Sequence, residues 1–84
     1  MALGADLELR LRKKFEPSSS VNMTFRGNDI VVQTDRDGNA VLMFIGKFTP
    51  HGKIKGERYA RTLKADATGR IIKDHWDLKG KTEG

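Results

Sequence analysis

Proton transfer near neutral pH falls to His51 and His75, the two histidines in the sequence. Together with a basic residue they could cleave a phosphodiester without a metal, as an endoribonuclease would. His75 lies in Ile71-Ile72-Lys73-Asp74-His75-Trp76-Asp77. If that segment is a strand, Lys73 and Asp77 share its face, whereas Asp74 and Trp76 point the other way. A surface histidine in a salt-bridged strand explains the pattern more simply. His51 and His75 are therefore carried forward as weak catalytic candidates, and a binding protein is expected ahead of an enzyme. The chain has no cysteine, which removes disulfides, thiolate chemistry and cysteine-ligated zinc together. The histidines show no short ligand spacing, so no metal is expected. Phosphate loops, dinucleotide fingerprints, serine elbows and HExxH motifs are absent from the sequence, so no cofactor is expected either.

A second chemistry is carried by charge. The formal net charge is +5, and it is not spread evenly. Residues 47–64 hold six basic side chains and one acid, whereas residues 65–84 balance four against four. Small β-domains hold single-stranded nucleic acid by stacking bases on exposed aromatics while Lys and Arg follow the phosphates. On that pattern Lys53, Lys55, Arg58 and Arg61 supply the charge and Tyr59 the platform. The competing reading puts the Tyr59 ring in the core and leaves the lysines to shield an edge or solvent-facing strand. Phe48 continues the preceding apolar face and is expected in the core.

These residues must be positioned by a small framework. Eighty-four residues are enough for one domain, spanning 1–84, and not for two. Leu7, Leu9 and Leu11 alternate with charged residues, which favours a strand over 6–15. Leu3, Leu7, Leu11 and Phe15 also lie four apart, which would make a short helix with Leu9 on its opposite side. The strand is the expectation, the helix its alternative. Val21, Met23 and Phe25 alternate as in a half-covered strand, with a turn expected at Gly27-Asn28 before Ile30-Val31-Val32. Asp35-Arg36-Asp37-Gly38-Asn39 is a hairpin loop rather than a calcium loop, because the terminal glutamate is missing.

From Ala40 to Phe48 the run is apolar on both strand faces: Leu42, Phe44 and Phe48 on one, Val41, Met43 and Ile45 on the other. A single sheet cannot cover both. The N-terminal element, closure into a barrel, or a second chain must do so. Further turns fall at 49–52 and 66–69, and Trp76 is a core anchor in phase with Ile72 and Leu78. Residues 80–84 form a polar tail expected to fray.

The expected fold is mainly β: a small antiparallel meander or partly open barrel of about five strands, with an N-terminal strand or short helix. The expected function is a small basic binding domain for RNA or other single-stranded nucleic acid. The alternatives are a homodimeric or acidic-protein interaction module and the metal-independent endoribonuclease. The absence of cysteine, of a secretory pattern around Asp6 and Glu8, and of any membrane-length apolar run points to the cytoplasm and away from the membrane.

Overall fold

The computed structural model describes residues 3–82. Alternation of Val21, Met23 and Phe25 with polar residues produces β1 (Ser20–Phe25). It is followed by β2 (Asn28–Thr34), β3 (Ala40–Phe48), β4 (Ile54–Ala65) and β5 (Ile71–Thr82). All four pairings are antiparallel and join strands adjacent in sequence, giving an open sheet in the order β1-β2-β3-β4-β5. The sheet does not close into a barrel. Residues 80–82, expected to fray, belong to β5; the rest of the expected tail, 83–84, lies outside the described residues.

The N-terminal segment is a helix, α1 (Ala5–Leu11), the second of the two forms expected there. Residues 5–14 contain no β-branched side chain, and Leu, Glu and Arg favour helix. The decisive cause is burial. As a helix, the segment lays Leu7 and Leu11 on the sheet at 3% and 0% exposure, with Leu9 left outside at 65%. A seven-residue helix has little stability of its own, so the sheet beneath holds it in place.

The register fixes what lies under that helix. Val32 pairs with Val21 and Met43, and Ile30 pairs with Met23 and Ile45. Met43 in turn pairs with Tyr59. With Ala40 and Trp76 these residues and the two helix leucines make the core cluster. Paired residues share a face, so the other side of β3 presents Leu42, Phe44 and Phe48 away from α1. Of the three ways to cover the apolar run 40–48, the helix therefore accounts for one face and leaves the second open.

Three of the four hairpins use one turn design. In each, the fourth residue of a five-residue loop is a glycine at φ near 80°: Gly38 at 82°, Gly52 at 79° and Gly69 at 85°. The first residue brackets the loop, its N–H donating to the carbonyl of the fifth: Asp35 to Asn39, Thr49 to Lys53 and Asp66 to Arg70. Its side-chain oxygen also accepts backbone N–H groups inside the loop. Asp35 takes those of Asp37 and Asn39, both at 2.9 Å. Asp66 takes those of Thr68 at 2.9 Å and Arg70 at 3.0 Å. Thr49 takes that of Lys53 at 3.3 Å. The first hairpin differs. Its turn residues are Arg26 and Gly27, both at positive φ, and Asn28 pairs with Phe25, one residue earlier than the expected Gly27-Asn28 turn.

Gly46 and Gly56 face each other across β3 and β4. A Cβ on either would run into the backbone of the opposite strand, so only glycine permits this close approach. The molecule is elongated, 46 × 26 × 20 Å, because the twelve-residue strands β4 and β5 extend beyond the helix. No helix among the described residues is long and apolar enough to cross a membrane.

Candidate functional site

The cations and the aromatic expected to act together divide between the two faces of the sheet. Tyr59 pairs with Met43 on the helix side and is 2% exposed. Burial raises its phenol pKa, and the nearby Glu57 carboxylate adds to the effect. It is a core ring and offers no stacking surface. Arg61 is likewise committed to the framework. Its Nε and Nη2 donate to the two carboxylate oxygens of Asp74, each at 2.7 Å. Its Nη1 donates to the carbonyls of Leu11 at 3.2 Å and Ala40 at 3.1 Å. The guanidinium also lies 5.7 Å from the centre of the Trp76 ring. One side chain thus ties the end of α1, the start of β3 and the middle of β5.

Lys53, Lys55 and Arg58 remain exposed. Arg58 pairs with Phe44 on the open face. Four residues further along β3 on the same face, beyond the Gly46–Gly56 pair, Phe48 sits opposite Ile54 and is 40% exposed, whereas Ile54 is 5% exposed. Val31, Phe44, Phe48 and Ile54, with Lys53 at the rim, line a shallow cavity of about 190 Å³. A second hollow of about 330 Å³ opens at the end of the β3–β4 hairpin and is lined by Thr49, His51, Lys53 and Lys55. Lys53 belongs to both. An apolar, ring-walled hollow and a cationic one therefore share Lys53 as a lining residue.

Phe48 is the functional candidate that sequence reasoning assigned elsewhere. Its phase was read correctly, on the face of Leu42 and Phe44, but that face is the one α1 leaves bare. A seven-residue helix is only about 10 Å long. The usable signal was therefore the shortness of the N-terminal element against two apolar faces.

The two histidines do not converge. His51 occupies the β3–β4 turn, while His75 pairs with Thr62 far along β4. Roughly 25 Å of strand separates them at the usual rise per residue. Within β5 the Nε2 of His75 lies 2.8 Å from Oδ1 of Asp77, the same-face neighbour expected from alternation. Among the described residues no three His, Cys, Asp or Glu side chains gather as metal ligands would.

The fold and site define a class in structural terms: an open five-stranded antiparallel meander, capped on one face by a short helix and bare on the other. Compared with family models, curated proteins and solved structures, the chain matches none.

Proposed function

We propose that this domain binds single-stranded nucleic acid, with RNA as the leading ligand, on the face of the sheet that α1 leaves uncovered and around the end of the β3–β4 hairpin, where Lys55 alternates to the opposite face. The observation that carries the reading is the junction at Lys53. One hollow, walled by Phe44 and Phe48, suits the face of a base. The adjoining one, lined by His51, Lys53 and Lys55, suits the phosphate that follows it. Every base has a π-face, so stacking on a phenylalanine demands no particular sequence, and the neighbouring cations hold the backbone. Arg58, paired with Phe44, adds a third cation beside the rings. A recognition helix for duplex DNA has no counterpart among the described residues, since α1 is short and buries Leu7 and Leu11.

Tyr59 and Arg61 drop out of this interface, and Phe48 and Phe44 take the role first given to Tyr59. The test is a titration of fluorescein-labelled twelve-nucleotide oligouridylate by anisotropy at moderate salt. Phe48→Ala should weaken binding by about tenfold, in line with the loss of one stacked base. The same substitution should barely alter the fold, because the ring is 40% exposed. Binding unchanged by Phe48→Ala and by Arg58→Ala would overturn the reading and favour a protein partner for the basic face.

A further inference from the structure

β5 is the last strand of the sheet, and no strand among the described residues pairs with its outer edge. A long edge strand with free backbone groups is a template for another strand, and proteins commonly blunt such edges with bulges and lysines. β5 carries a register shift near each end: one where Lys64 and Ala65 face Ile71 and Lys73, the other where Arg58 and Tyr59 face Leu78 and Gly80. Between them, residues 73–78 pair regularly with β4. The bulges leave a regular six-residue segment, and the charges along it run Lys73, Asp74, His75, Asp77.

We propose that this segment pairs antiparallel with the same segment of a second copy of the chain, about a twofold axis at His75, to give a continuous ten-stranded sheet. An axis at residue 75 sets Lys73 of each copy opposite Asp77 of the other. At the edge of that segment it brings Ile72, the bulged residue and 62% exposed, toward Leu78, which is 38% exposed. Each contact occurs twice by symmetry, so the edge is complementary to itself. Asp77 meets His75 of its own chain through Oδ1, which leaves Oδ2 for the incoming ammonium. Asp74 falls opposite Trp76 of the second copy, and its charge is already met by Arg61.

Neighbouring axes are worse. One at residue 74 sets Asp74 against Asp74, and one at residue 76 sets Lys73 against Lys79. Directly opposed like charges destabilise a strand pair and opposite charges stabilise it. The lysine that would ordinarily defend this edge therefore selects one register and one partner. The pairing does not depend on nucleic-acid binding, since the Lys53 junction lies at the other end of β4 from Lys73.

The experiment is sedimentation equilibrium of the full chain from micromolar to near-millimolar concentration, with circular dichroism to check folding. Wild type should dimerise reversibly. Lys73→Asp and Asp77→Lys each turn two attractive pairs into repulsive ones and should weaken the dimer by at least about tenfold. The double variant K73D/D77K should recover it. An equimolar mixture of the two single variants should associate as a heterodimer, read by native mass spectrometry, because each chain then supplies the charge the other lacks. A wild type that stays monomeric overturns the proposal. So do single variants that dimerise as well as wild type, or a failure of both the double variant and the mixture to restore association.

Discussion

Arg61 satisfies five acceptor contacts with one side chain if the Trp76 face is counted with the two carboxylate oxygens and two carbonyls. Its side chain is only 5% exposed, whereas that of Asp74 is 29% exposed. Removing the guanidinium leaves two carbonyls and a carboxylate without their donor, but the carboxylate can rehydrate. Arg61→Ala should therefore cost about 2–3 kcal/mol, below the full penalty for a deeply buried pair. Arg61→Lys should recover little of it, because an ammonium cannot reproduce the two-pronged contact. Urea titration measures both. The pair also has a pH signature. The hydrogen bonds from Arg61 hold the Asp74 carboxyl below its ordinary value. The stabilisation is thus complete above the unfolded-state pKa and lost as pH falls through the lower folded value, that is, below about pH 4. Asp35 and Asp66 titrate in the same direction. The Asn39 backbone N–H is the main cause for Asp35, and the Thr68 hydroxyl for Asp66. In Asp74→Asn the decline of the urea midpoint from about pH 4 downward should be shallower than in wild type. An unchanged acid limb would show that the two turn carboxylates carry it.

At the scale of elements, three of the hairpin turns were legible, the first was displaced by one residue, and the first segment was not legible. Asp35-Arg36-Asp37-Gly38-Asn39 and Asp66-Ala67-Thr68-Gly69 specify their loops locally, through an acceptor side chain and a glycine at positive φ, so no distant contact is needed to read them. Thr49-Pro50-His51-Gly52 reaches the same geometry with a hydroxyl in place of a carboxylate. Residues 5–11 satisfy strand and helix periodicities at once, and their helix propensity cannot by itself hold so short a helix. The choice is made by the sheet, whose Ile30, Val32 and Met43 are 0% exposed and form one core cluster with Leu7 and Leu11 of α1. That dependence predicts a sharp contrast within one helix. Leu11→Ala should cost about 3–5 kcal/mol by leaving a cavity over the sheet. Leu9→Ala, on the solvent side, should shift stability by no more than about 0.5 kcal/mol. If the segment paired as a strand, with Leu7, Leu9 and Leu11 on one face, the two substitutions would cost similar amounts. Chemical denaturation of both variants separates these outcomes.

For the molecule as a whole, the excess of apolar surface in residues 40–48 already implied a sheet with one side too many to cover. Which side stayed bare depended on where α1 landed, and alternation alone carries no information about that. For the same reason Lys53, Lys55 and Arg58 could be picked from charge density, whereas the choice between Tyr59 and Phe48 required the tertiary structure. The open face leaves two roles for the positive charge. It can neutralise phosphates in a bound strand, or it can keep small molecules of this protein apart. Salt distinguishes them, because a cation seated on a phosphate releases a counterion and an unengaged one does not. For single strands each such contact adds about 0.7 to the slope of log affinity against log salt. Replacing Lys53, Lys55 and Arg58 together by Ala should therefore flatten the slope by about 2 and lower affinity at every salt concentration. Phe48→Ala should lower affinity while leaving the slope as it was, because stacking releases no ions. Anisotropy titrations of the wild type and both variants from about 20 to 200 mM salt span the range over which phosphate contacts dominate. Parallel lines for wild type and the triple variant would mean that these cations never touch the backbone, and the basic face would then be left to charge repulsion or a protein partner.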